Sequence, residues 1–303
     1  MKYIVILGGL SWLLASCAGF GISAEESFSL GMAYYELGKY EDAERWLNRA
    51  RSRDRTKSAS EYNLGRIAFE QGRFREAAEL FEGILKKDPE NIQALKAAAY
   101  SRIRTGEMGK AEALYARVLA LVPEDADEGY NYALVLCALG KYGEAEETLE
   151  GRQFALLENG DFLLLYARAQ AAQHKLEAVD SYDRWLQNNS DPAVSWEYAG
   201  LLEKLEHYAR ALELYREIAG ALGPESTDPG LKDVHFAAAR ILLAADGENP
   251  EGLQELAAAA AAGFADREAL EKLLADERIN AAGREGIRRI LDGLDREPGQ
   301  EPG

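Results

Sequence analysis

"EYNLGRIAFEQGRFREAAELFEGILKKDPEN", Glu61 to Asn91, holds two short segments with apolar residues at helical spacing, separated by Gly72 and closed by Pro89. It reads as helix, turn, helix, stop. Its marker positions are Leu64-Gly65, Gly72, Phe74, Ala77, Phe81 and Pro89. Shifted by 34 residues towards the N-terminus they become Leu30-Gly31, Gly38, Tyr40, Ala43 and Leu47. Shifted by 34 the other way they become Ala98-Ala99, Gly106, Met108, Ala111, Tyr115 and Pro123, and once more Tyr132-Ala133, Gly140, Tyr142, Ala145 and Leu149. Four consecutive units therefore keep one period, the mark of a solenoid in which each unit buries its apolar face only against its neighbours.

The residue types have physical reasons. Gly31, Gly65, Ala99, Ala133, Ala167 and Ala199 are expected where the two helices of a unit cross, as are Ala43, Ala77, Ala111, Ala145, Ala178 and Ala211. Small side chains there allow close approach. Gly38, Gly72, Gly106 and Gly140 are placed in the turn, where a left-handed backbone favours glycine. Pro89 and Pro123 stop the second helix.

The ladder resembles the tetratricopeptide repeat (TPR) family: a bulky residue, Leu-Gly, Tyr, a turn, then Ala, Phe and Pro. Units are placed at 24–57, 58–91, 92–125 and 126–159. A fifth, near 160–191, keeps Tyr166-Ala167, and a sixth, near 192–225, keeps Tyr198-Ala199, Tyr208, Ala211, Tyr215 and Ile218. Beyond Pro224 the register is lost. Helical patterns across 226–294 read as a divergent repeat and a cap, and 295–303, polar and rich in Pro and Gly, reads as disordered. The fold the resemblance implies is all-α, a right-handed TPR superhelix of about six repeats plus a C-terminal helical cap.

In that family the first helix of each unit lines a concave groove. Carried onto this sequence, the partner-binding positions are Phe28, Tyr35, Tyr62, Arg66, Phe69, Lys96, Tyr100, Tyr130, Leu134, Arg168 and Trp196, with Met32, Ile103, Arg104 and Cys137 beside them. Aromatics and Arg are enriched among binding hot spots. The same positions also suit ordinary packing. Chaperone-binding TPRs grip a terminal carboxylate with Asn on successive first helices. Here the matching position reads Met32, Arg66, Tyr100 and Leu134, so that clamp is missing.

The N-terminus reads as a targeting segment. Lys2 precedes a mostly apolar run from Tyr3 to Leu14, about the length of a signal-peptide core and short of the roughly 20 residues a membrane span needs. Leu14-Ala15-Ser16-Cys17 resembles a bacterial lipobox, in which the Cys becomes the first mature residue and carries lipid. This implies a signal peptide at 1–16, a lipidated Cys17 with a tether at 17–23, and the repeat array at 24–225. The corresponding location is the bacterial envelope, facing the periplasm. Ala18 rather than Asp after the Cys leans towards the outer membrane. The alternative is ordinary cleavage near Ile22-Ser23-Ala24 and a soluble secreted or periplasmic protein.

Chemistry is hard to find. The 303 residues carry a formal charge of −17, which disfavours nucleic acid and repels the bulk of the chain from an anionic bilayer surface. Two cysteines, Cys17 and Cys137, cannot organise a disulfide framework. His174, His207 and His235 are isolated, and His174 and His207 fall in turns. Gly38-Lys39, Gly109-Lys110 and Gly140-Lys141 lack the Ser or Thr and the upstream Gly of a phosphate loop. Cys137 has no matched His and reads as a packing residue. The sequence thus predicts no catalysis, no metal and no cofactor. It points to a scaffold that binds an envelope protein or peptide and meets the membrane through its N-terminal lipid only. The other reading is a ligand-binding accessory of an envelope transport system.

Overall fold

The computed structural model of the chain describes residues 22–152, 159–223 and 225–294. The lipobox with Cys17, the leader and the 295–303 tail lie outside the described residues. Among the described residues there are sixteen α-helices and no β-strand. The helices divide into an N-terminal unit within 1–156 and a C-terminal unit within 157–303.

The N-terminal unit is four helical hairpins. They are α1 (Ala24–Glu36) with α2 (Tyr40–Ala50), α3 (Asp54–Glu70) with α4 (Phe74–Leu85), α5 (Ile92–Arg104) with α6 (Met108–Leu121), and α7 (Ala126–Ala138) with α8 (Tyr142–Glu150). Their crossings are as tight as the sequence implies. A Cβ added to Gly31 would sit 2.7 Å from Leu47 Cγ, and one on Gly65 would sit 2.7 Å from Phe81 Cε1. The alanines that take these positions in later hairpins are wholly buried. Gly38, Gly72, Gly106 and Gly140 all have positive φ, 69° to 76°, and reverse the chain between the helices.

First helices start at regular caps. The side chains of Ser23, Asn91 and Asp125 accept hydrogen bonds from the amides of Glu26, Ala94 and Glu128. Such caps are worth roughly 1 kcal/mol each. One helix breaks the pattern. Where the period would place a cap, the residue is Lys57, and α3 starts a turn early at Asp54. It runs for 17 residues instead of 13, and its N-cap, Arg53, makes no side-chain cap. One core, from Ala68 through Phe81 and Leu95 to Tyr115 and Val135, runs through three hairpins without a break.

The C-terminal unit continues in the same style with α9 (Gly160–Ala172), α10 (Glu177–Leu186), α11 (Pro192–Lys204) and α12 (Tyr208–Ala221). The turn position is held here by His174 and Glu206, at φ 57° and 62°. His174 occupies the glycine slot that the sequence assigns to it. Beyond residue 225, where sequence register fails, hairpin geometry persists in α13 (Leu231–Ala245) and α14 (Pro250–Ala261). The close approach is inverted: the glycine is on the second helix, and a Cβ on Gly252 would lie 2.9 Å from Leu243 Cγ. Then α15 (Arg267–Ala275) and α16 (Ala281–Leu294) close the unit around Leu256, Phe264, Leu270 and Ile287. A Cβ on Gly283 would fall 1.9 Å from the carbonyl oxygen of Gly247, so backbone meets backbone at that seam.

Candidate functional site

The first helices of the N-terminal unit are joined side chain to side chain at each junction. Between α1 and α3, Arg66 Nη2 donates to the Tyr35 hydroxyl at 3.0 Å. Its guanidinium lies 4.6 Å from the Tyr35 ring centroid, and Nη1 donates to Asn63 Oδ1. Between α3 and α5, Phe69 stacks on Tyr100 with centroids 5.2 Å apart and planes 29° from parallel. Between α5 and α7, Lys96 pairs with the buried carboxylate of Glu128. That hydrogen bond raises the Lys96 pKa.

These contacts sort the sequence-derived groove residues by what they do. Tyr62 turns into its own hairpin, with its ring 5.3 Å from that of Phe81. Phe28, Met32 and Tyr35 are half-buried against the Ala43, Leu47, Leu64 and Ile67 core. Tyr130 and Cys137 are half-buried, and burial pushes the Cys137 thiol up, away from the thiolate a nucleophile needs. Arg66 and Lys96 are engaged as described. Tyr100 and Leu134 differ: they are 49% and 41% exposed, at equivalent positions of consecutive first helices. Arg104, also exposed, lies 4.0 Å from the Phe74 ring centroid, a cation–π contact beside Phe69 and Tyr100.

In the C-terminal unit, Arg168 on α9 grips Glu197 on α11 with three hydrogen bonds of 2.9 to 3.1 Å. The Tyr182 hydroxyl donates to the same carboxylate at 2.6 Å. Trp196 is half-buried against Tyr215. An open cleft of about 570 Å³ follows, walled by α11, α13 and α15, with Trp196, Phe236, Arg240 and Phe264 in its lining. Sequence reasoning missed this stretch because the repeat ladder ends before it. The available signal was the i, i+4 pair Phe236 and Arg240 in the helical pattern after residue 230. It also missed Glu128 and Glu197, the carboxylates that occupy Lys96 and Arg168. No group of three or more His, Cys, Asp or Glu suited to a metal occurs among the described residues.

Two family profiles, both described as tetratricopeptide repeat, match residues 24–57 and 62–126. An uncharacterised lipoprotein of Treponema pallidum (strain Nichols) is 28% identical over 142 residues, 47% of this chain and 72% of that protein. Cellulose synthase operon protein C of Pseudomonas fluorescens (strain SBW25) is 26% identical over 215 residues, 66% of this chain but only 17% of that protein. Among solved structures, a tetratricopeptide repeat protein from Parabacteroides merdae covers 91% of this chain and all of its own, with a TM-score of 0.55 and 20% identity. YrrB, described as a TPR protein with an unusual peptide-binding site, covers 64% of this chain and 98% of its own, with a TM-score of 0.52 and 21% identity. At these identities the two structures share the fold.

Proposed function

The chain belongs to the tetratricopeptide repeat family, which is generally non-catalytic, and from that premise we propose that it is a binding scaffold held at a bacterial envelope membrane. The scaffold holds a protein or peptide segment along the first helices of its N-terminal unit and performs no chemistry on it. The observation that carries this reading is the exposed pair Tyr100 and Leu134. A tyrosine stacked on Phe69 yet 49% open to solvent is a rigid anchor that pays little entropy on binding. Arg104 beside it supplies donors. In this reading Phe28, Tyr35 and Tyr62 support the groove from behind.

The anchor is a lipid on Cys17. It is supported by the lipobox and by the lipoprotein relative, and no described helix is long and apolar enough to cross a membrane. The periplasmic face of the outer membrane is the favoured location. Affinity capture from the native envelope with mass spectrometry tests the scaffold. Tyr100→Ala with Leu134→Ala should release the captured partner at unchanged helical content, because a buried aromatic anchor is worth about 2 kcal/mol or more, roughly thirtyfold in affinity. Reversal of Glu79 and Glu112 on the second helices should retain it. The inverse pattern would move the docking surface off the first helices.

A further inference from the structure

One corner of the first repeat opposes the charge of everything around it. Residues 45–57 hold Arg45, Arg49, Arg51, Arg53, Arg55 and Lys57 against a single acid, Asp54. The segment is net +5, and the other 290 residues carry −22. Little of this positive charge is neutralised locally. Arg45 meets Asp42 at 3.2 Å and Arg55 meets Glu25 at 3.9 Å, with the two arginine side chains 73% and 87% exposed, where such pairs are worth little. Arg51, Arg53 and Lys57 make no ion pair among the described residues. Arg49 reaches only the Ile22 carbonyl, at 3.5 Å, and the face of Trp46.

The same corner is built around an open polar cleft of about 620 Å³. Arg49, Arg53 and Arg55 line it together with Glu25 and Asp54. The uncapped start of α3 lies here, leaving first-turn amides and the positive end of the helix dipole without a side-chain acceptor. Ser27, also in the lining, is wholly buried, and its hydroxyl has no partner. Three arginines and a helix start without a side-chain cap share this cleft, and their positive charge exceeds the negative charge of its two carboxylates.

We infer that this basic corner docks the first repeat on the anionic phosphate headgroups of a bilayer. Complementary charge is one argument: the 45–57 segment is net +5, and most of the acidic residues of the chain lie outside the first repeat. Position is the other. Ile22, 41% exposed, is at this corner with half-buried Trp46, a residue type suited to the headgroup region. The five residue steps from Cys17 to Ile22 span at most about 18 Å, so a lipid on Cys17 would keep the corner at the headgroups and the corner would orient the array. The inference goes beyond the scaffold reading and meets the anchor only at the membrane.

The test is co-sedimentation of the full chain with vesicles of phosphatidylcholine and of phosphatidylcholine mixed with phosphatidylglycerol, at ~0.1 M and ~0.5 M salt. The readout is the increment that anionic lipid adds, so whatever the leader or a lipid contributes to both compositions cancels. The increment is expected at low salt and should vanish at high salt. Arg51→Glu with Arg53→Glu and Arg55→Glu should cut it roughly a hundredfold, at about fivefold per basic side chain. Lys86→Glu with Lys87→Glu, an equally exposed site, should leave it standing. Circular dichroism checks that the reversed chain is folded, and the milder triple change to Gln reports the same loss if it is not. Cys17→Ser should keep the increment whatever it does to retention on neutral vesicles, and that baseline reports on the anchor separately. Equal retention on both compositions, an increment untouched by the triple reversal, or a preference for a DNA duplex over anionic vesicles overturns the proposal.

Discussion

His174 and Glu206 hold a backbone conformation that Gly38, Gly72, Gly106 and Gly140 hold in the regular hairpins. An L-residue in the left-handed region costs roughly 1 kcal/mol relative to glycine. His174→Gly and Glu206→Gly should therefore each raise the melting temperature by a few degrees in thermal unfolding followed by circular dichroism. Gly72→Ala should lower it. At Glu107 the effect is electrostatic. Hydrogen bonds from Lys110, Arg102 and Thr105 hold its carboxyl down at about 2. Its pKa in the unfolded chain is about 4.3, so its contribution to stability is complete above that value and fades as pH falls through about 2. An NMR titration should find this carboxyl ionised at pH 3, and Glu107→Gln should remove that part of the acid sensitivity. The turn glycines were legible in the sequence because glycine announces its conformation. Glu206 was not, because the strain is imposed on it by the hairpin around it.

The hairpin is the next scale, and Gly65 is a tightly constrained point in one. With Phe81 already 2.7 Å from where a Cβ would be, Gly65→Leu must wedge α3 from α4. Overpacking of this kind costs about 1–3 kcal/mol, and the damage should spread to neighbours that share the core. A lowered or broadened melting transition is expected, whereas Gly83→Ala, where an added Cβ meets nothing, should leave the curve unchanged or sharpen it. Helix identity, turn position and crossing residues in the regular hairpins could all be read from period and side-chain size. The pairing of α13 with α14 could not, because its close approach moved to Gly252 on the second helix and left no ladder to count. The early start of α3 also departs from the period: without a capping residue at Lys57, the helix extends one turn backward to Asp54.

At the scale of the whole molecule the prediction concerns attachment. Cys17→Ser should abolish labelling by a lipid precursor and shift the protein from the membrane to the soluble or unprocessed fraction. Unaltered labelling of this variant by the lipid precursor would refute the anchor. The repeat, the all-helical architecture and the candidate anchor follow from the order of residues alone, because they depend on local spacing: small against large at 34-residue intervals, and an apolar run before a cysteine. The candidate groove does not. Tyr62 and Tyr100 share the look of a groove tyrosine in one dimension. Only packing turned Tyr62 into the core against Phe81 and left Tyr100 open on Phe69. Only packing supplied Glu128 to Lys96 and Glu197 to Arg168, and withheld a carboxylate from Arg51 and Arg53. Which side chains are spent on one another and which remain for a partner depends on contacts between units, and the sequence of a single unit does not contain its neighbour.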